Sequence, residues 1–165
     1  MVRIISICLL MLLLSVSFAS AQIKSVYTTL DEKHCKSQKP DRKNGEFERL
    51  KCGGVSGYWL RVLSGGDDSV VDLMTPSGKA FSADYGFAGH RVASGTSEWR
   101  VKNGRPIGVI IRYSVQEPDG FKSYLVVTKI SRTSACVVDM VEPGKRQNTE
   151  ARKIADSMRP CKKAT

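Results

Sequence analysis

Few side chains in this sequence are equipped for covalent chemistry. There are two histidines, His34 and His90, and five cysteines, Cys8, Cys35, Cys52, Cys136 and Cys161. Nucleophilic hydrolysis needs a serine or cysteine beside a histidine base, with an acid to orient the ring. His34 adjoins Cys35 in a charged stretch and reads as a solvated surface residue. His90 lies in Gly89-His90-Arg91, among glycines and aromatic residues, with Asp84, Ser94, Ser97 and Glu98 near it in sequence. Glycine-rich, irregular segments are where function commonly sits. His90 and Arg91, with Trp99 and Arg100 on the strand that follows, are therefore the candidate binding residues. No Gly-x-Ser-x-Gly elbow is present. No catalytic residue is assigned, and a loop role for His90 outweighs a catalytic one.

Other chemistries fit less well. Asp67, Asp68 and Asp72 lack the fixed offsets and distant Glu of a calcium loop, because Val70 to Leu73 interrupts them. They read as a solvated turn. There is no Cys-x-x-Cys pair, and a single histidine adjoins a cysteine, so a four-ligand zinc site is not expected. Phosphate-cradling and dinucleotide fingerprints are missing too. No metal and no cofactor is predicted.

Positive charge is the remaining functional hint. Lys plus Arg number 26 against 16 acids, a net +10. Lys33, Lys36, Lys39, Arg42, Lys43, Arg49 and Lys51 crowd one stretch; Lys145, Arg146, Arg152, Lys153, Arg159, Lys162 and Lys163 crowd the other. Either cluster could attract an anionic partner, against the rival that charge runs are solvated surface. Aromatic residues do not interleave the basic ones along the chain, as they do in strand-binding grooves, so nucleic acid is not expected.

The first residues read as an address. Met1 to Arg3 carry one positive charge, Ile4 to Val16 is nearly all apolar, and Ala19-Ser20-Ala21 supplies small residues for a peptidase. This is the pattern of a secretory signal peptide over 1–21. The apolar run is short of the roughly 20 residues a membrane span needs. Residues 22–165, about 144 in number, then form one domain of net charge +9 with no transmembrane span, expected to be a monomer. Four cysteines remain, and an even count in an exported chain reads as a disulfide framework with three possible pairings. The sequence-local pairing, Cys35–Cys52 and Cys136–Cys161, is the one predicted; each closes a loop of roughly 17 to 25 residues. No Asn-x-Ser/Thr sequon occurs. The expected location is the bacterial periplasm, with the extracellular space as the alternative.

The elements that must position any site follow from periodicity. Asn103-Gly104 lies between two β-rich runs, a strong hairpin signal. After it, Ile107, Val109, Ile111, Tyr113 and Val115 alternate, as on one face of a strand. Glu117-Pro118-Asp119-Gly120 is a second turn. Beyond it Tyr124, Val126 and Thr128 share one face, with Leu125 and Val127 on the other. Ile23 to Leu30 reads as a first strand or arm, Asp31 to Arg49 as a loop, and Gly78 to Ser97 as a long, partly ordered loop. From Ala151 the period changes. Ala151, Ile154, Ala155 and Met158 make a helical stripe, with Asn148 or Thr149 as N-cap and Pro160 as the stop. The predicted fold is α+β: an antiparallel meander of about five to seven strands over Trp59 to Val141, a C-terminal helix packed on one face, and two disulfides.

Paired cysteines, Glu98-Trp99-Arg100, Asn103-Gly104-Arg105-Pro106, Ile111-Arg112-Tyr113, Cys136, and Ala151-Arg152-Lys153-Ile154-Ala155-Asp156 before Cys161 follow one another along the chain. In that order they resemble a group of uncharacterised small exported proteins of Gram-negative bacteria. The resemblance implies compartment and fold and no activity. Ser94-Gly95 before an aromatic strand is similar to the loop of bacterial C-type lysozyme inhibitors, which implies an inhibitor of a lysozyme. That family has a Tyr where this chain has none, and a protein of +9 repels basic lysozymes. The function expected is binding of an anionic envelope component or a protein partner, without catalysis. The alternatives are a small hydrolase with a site near His90 and a lysozyme-inhibitor-like protein.

Overall fold

The computed structural model describes residues 22–39, 48–93, 95–157 and 159. Eleven strands and one α-helix form among them: β1 (Ile23–Thr29), β2 (Lys36–Gln38), β3 (Glu48–Cys52), β4 (Trp59–Gly65), β5 (Asp68–Met74), β6 (Ala80–Ser82), β7 (Arg91–Ala93), β8 (Thr96–Lys102), β9 (Arg105–Glu117), β10 (Gly120–Ile130), β11 (Ala135–Val141) and α1 (Gln147–Asp156). A 3-10 turn, Glu32–His34, precedes β2. The expected segment 1–21 lies outside the described residues.

The strands make two antiparallel sheets. Sheet A runs β1-β8-β9-β10-β11, with β7 also paired to β9; sheet B runs β2-β3-β4-β5-β6. The two pack face to face over Leu50, Leu60, Val62, Val71 and Leu73 from sheet B and Trp99, Val109, Ile111, Tyr113 and Val126 from sheet A. Helix α1 covers the other face of sheet A, burying Ala151, Ile154 and Ala155 against Ile110, Leu125, Val127, Val138 and Val141. The order of layers is thus helix, sheet A, sheet B. Sheet A is buried on both sides. Its middle strands accordingly carry unbroken apolar runs such as Val109-Ile110-Ile111 and Leu125-Val126-Val127, where a half-solvated strand would alternate.

The hairpin at Asn103-Gly104 joins β8 to β9, with φ of +51° and +75° at its two central residues. Positive φ at both is what a two-residue primed turn requires, and Asn-Gly tolerates it best. The helix stripe lies against the sheet at Gly108, where a Cβ would stand 3.6 Å from the Cβ of Ala155, an ordinary contact, and 3.1 Å from the Thr128 carbonyl oxygen, a tight one. Lys129 then reaches from β10 to the helix end, its Nζ donating to the carbonyls of Ala155 at 2.7 Å and Ser157 at 2.5 Å. It satisfies acceptors that a helix terminus leaves open. Burial pulls its ammonium below the usual lysine range.

Three expectations need correction, and a fourth is seen in part. A single meander of about five to seven strands is replaced by two sheets, and the span from Trp59 to Val141 holds eight strands, β4 to β11. Both presumed loops contribute strands: β2 and the start of β3 within Asp31 to Arg49, β6 and β7 within Gly78 to Ser97. Pairing, not local propensity, makes these short pieces extended: β2 and β6 pair with their sequence neighbours β3 and β5, and β7 with β9. The helix N-cap is Arg146, with no side-chain cap bond, instead of Asn148 or Thr149. Asn148 Oδ1 is taken by Arg112 Nη2 at 3.1 Å. Of the two disulfides, the one seen is Cys35–Cys52. Cys161, the expected partner of Cys136, lies outside the described residues, as do Met158 and Pro160.

Candidate functional site

The structure separates the four residues singled out around the 86–100 segment. Trp99 is fully buried between the sheets, its Nε1 donating to Thr28 Oγ1 at 2.9 Å. Arg100, next along β8, points the opposite way, toward the helix. Its Nε and Nη2 grip both carboxylate oxygens of Asp156 at 2.8 and 2.6 Å, and that bond chiefly holds its guanidinium above the ordinary value. Arg91 clamps Asp84 at 2.7 Å and Asp68 at 3.3 Å, tying the 83–91 segment to β5. Burial, the largest single influence, lowers its pKa; the bond to Asp84 and the charges of Asp84 and Asp68 together outweigh it and raise the guanidinium above its ordinary value. His90 is exposed, and its backbone carbonyl accepts from the Gln116 amide at 2.8 Å. Among the described residues its imidazole has no hydrogen bond to a hydroxyl, thiol or carboxylate. Ser94 lies outside the described residues. Gly89 lets this backbone lie close to β9, since a Cβ there would stand 2.3 Å from the Gln116 carbonyl oxygen.

The aromatic residues of the segment turn inward. Phe87 packs on Tyr113 and Tyr124, with ring centroids 5.7 and 5.5 Å apart, and on Tyr85 at 5.6 Å. They pack at one end of the sandwich, where Phe87 and Tyr124 also line a surface cleft with Gly89, Glu117 and Glu142. Tyr113 is deep enough for burial to push its phenol far up. Among the described residues no group of three His, Cys, Asp or Glu is placed to hold a metal ion.

The arrangement with more chemical content is the outer face of sheet B. The inner face holds Leu50, Cys52, Leu60, Val62, Val71 and Leu73, so alternation turns Arg49, Lys51, Trp59, Arg61, Leu63, Val70 and Asp72 outward. The register lines these up across the strands. Lys36 of β2 lies opposite Lys51 of β3, Lys51 opposite Arg61 of β4, and Arg61 opposite Asp72 of β5. Directly opposite residues share a face. Three cations therefore stand on three successive strands, in a row closed by one acid.

That acid is committed. Arg61 Nε and Nη2 both donate to Asp72 Oδ2, at 3.1 and 2.6 Å. Among the described residues Lys36 and Lys51 have no carboxylate partner. The Lys51 ammonium instead lies 4.8 Å above the Trp59 ring, a cation–π contact between diagonal neighbours. Like charges directly opposite destabilise a sheet, and two unit charges about 5 Å apart in water repel by about 1 kcal/mol. Something must hold the pair together. The Cys35–Cys52 disulfide brackets it, since Cys35 immediately precedes Lys36 and Cys52 immediately follows Lys51, with Cα atoms 4.4 Å apart. β2 is a three-residue edge strand, so this bond secures what its few ladder bonds could not.

The second basic cluster is more mixed. Lys145, Arg146 and Lys153 share the shallow clefts beside α1 with Glu142 and Glu150, and Arg159 is paired with Asp139. Arg42, Lys43, Lys162 and Lys163 lie outside the described residues. Linear order hid the face of sheet B. Lys36 and Lys51 stood out as charge, but Trp59 is interleaved with them in space through the β3–β4 register, not along the chain.

No family model, no curated protein and no solved structure matches this chain.

Proposed function

We propose that the protein is an exported, non-enzymatic binding domain of the bacterial periplasm that engages an anionic envelope component through the outer face of sheet B. The observation that carries this reading is the row Lys36, Lys51 and Arg61: three cations on adjacent strands, on a face that no other layer among the described residues covers, with one acid at the end of the row. The leader-like pattern of 1–21 and the Cys35–Cys52 bond support export to an oxidising compartment. A protein that keeps like charges opposed on an exposed surface spends stability on it, and an anionic ligand returns that stability on binding. The test is retention at low salt on three anionic probes: phosphatidylglycerol vesicles, lipopolysaccharide and a uronic acid polymer. Retention on at least one, lost in the Lys36→Glu/Lys51→Glu double variant, supports the reading. No retention on any of them at low salt overturns it. A hydrolase at His90 gains no support, because no nucleophile or acid among the described residues bonds to its imidazole.

A further inference from the structure

We infer that the ligand of this face is an anionic polysaccharide that lies across β2, β3 and β4, its acidic groups meeting Lys36, Lys51 and Arg61 and one sugar ring stacking on Trp59. The inference rests on the reading above and narrows it to one class of polymer.

The first argument is spacing. Strands of a sheet lie about 4.8 Å apart, so Lys36, Lys51 and Arg61 offer positive charge at regular steps over roughly 10 Å. That suits a chain with acidic groups at repeated intervals better than a single small anion. Arg61 has capacity left after its bond to Asp72, because Nε and Nη2 make that contact and Nη1 carries no hydrogen bond among the described residues. The second argument is the indole. Trp59 is half-buried beside the cation row, two residues before Arg61 on β4, with the Lys51 ammonium over its ring. A carboxylate or phosphate that draws Lys51 aside uncovers the ring, and the apolar C–H face of a sugar can then stack there. One residue thus couples charge recognition to ring recognition.

The third argument separates a glycan from a lipid surface. Membrane-surface binding combines a basic patch with apolar side chains that enter the headgroup region. Among the described residues, the large apolar side chains that stand out into solvent are Tyr27, Val92 and Phe121, on β1, β7 and β10 of sheet A. On the face of sheet B, Trp59, Leu63 and Val70 are half-buried. The cations and the protruding apolar groups therefore lie on different sheets, which suits a hydrated polymer and not a bilayer.

The test uses the tryptophans as the reporter. The chain has two, and Trp99 is fully buried, so a ligand-dependent change in emission reports Trp59. The whole disulfide-bonded protein is titrated with polygalacturonate, with dextran as the neutral control, and with phosphatidylglycerol vesicles and single-stranded DNA as rival polyanions. Polygalacturonate is expected to change the emission and dextran to leave it unchanged. Trp59→Ala should weaken polygalacturonate binding about ten-fold, measured by calorimetry, and Trp59→Phe should restore most of it. Lys51→Gln should weaken binding by a similar factor and flatten its salt dependence; it carries the test alone if Trp59→Ala fails to fold. Polygalacturonate affinity unchanged in Trp59→Ala or Lys51→Gln overturns the inference, as does tighter binding of vesicles or DNA than of polygalacturonate. Those outcomes leave the wider anionic reading standing. Failure of every anionic probe overturns both.

Discussion

On the helix side of sheet A, Arg100 and Arg152 are held by Asp156 and Glu98; on the outer side of sheet B, Lys36 and Lys51 face each other with no carboxylate partner among the described residues. The first pair of arginines sits in a closed network. Arg100 contacts Ser25 and Asp156, Arg152 Nε donates to Glu98 Oε1 at 2.7 Å, and its Nη2 reaches the Tyr27 hydroxyl at 3.0 Å. Burial explains the difference for Arg100, whose side chain is 9 % exposed; Arg152, on the helix itself, is 39 % exposed and joins the network through Glu98. A charge withdrawn from water needs a partner, whereas an exposed charge can go unpaired for about 1 kcal/mol. Arg100 is therefore part of the scaffold, and the exposed lysines of sheet B cost little to leave unpaired.

The comparison can be broken by substitution. The largest effect is expected under the helix. Arg100→Ala leaves Asp156 without its cation, while Glu98 keeps Arg152, and should cost about 3 kcal/mol in chemical denaturation; a cost below about 1 kcal/mol would remove the scaffold role. Replacing Cys35 and Cys52 by serine comes next, at about 3 kcal/mol for a loop of this length. Unlike Arg100→Ala, it should also lower affinity for an anionic polymer in the fraction that stays folded, because Lys36 loses its tether. Thr128 offers a neutral control inside the sandwich. It is fully buried, and its hydroxyl has no hydrogen-bond partner among the described residues, so Thr128→Val should raise stability by about 1 kcal/mol.

The open face should behave in the opposite sense. Lys51→Gln is expected to raise stability by about 0.5 kcal/mol while weakening ligand binding. Added salt should stabilise the parent protein at low ionic strength more than this variant, because screening relieves the same repulsion. The smallest effect sharpens the contrast with a third kind of charge, exposed yet paired. Lys122 bonds Glu117 at 2.8 Å and Asp119 at 3.1 Å, and these bonds hold both carboxylates below their ordinary range. Their folded pKa values lie below the unfolded ones, so the unfolded chain binds more protons in between. The stability they contribute is present above the ordinary carboxylate range and is lost as pH falls through the depressed values. Glu117→Gln should soften the acid limb of the stability curve, followed by melting temperature between neutral pH and pH 3.

Local signals carried a good part of the fold. The Asn103-Gly104 hairpin, the two faces of β10, the helical stripe from Ala151 and the Cys35–Cys52 pairing each depend on residues close together in the chain. The division into two sheets does not. β1 pairs with β8 across more than sixty residues, and nothing in Ile23–Thr29 names that partner. The candidate site suffered twice from the same cause. Phe87 and Tyr85 look like a site beside His90 until packing turns them into the sandwich. Trp59 looks unrelated to the lysines until the β3–β4 register places it beneath Lys51. Register is a long-range property, and a one-residue slip would have sent Trp59 and Lys51 to the other face.

The Cys35–Cys52 bond has a consequence in time as well as in space. Before oxidation, the β2 edge has three residues and faces a lysine across the ladder, so little keeps it docked. The cation row is completed when the sulfurs join, and structural disulfides form in oxidising compartments. The same bond that steadies the sheet thus makes the complete cation row a late event in maturation, absent from a reduced chain and acquired on oxidation.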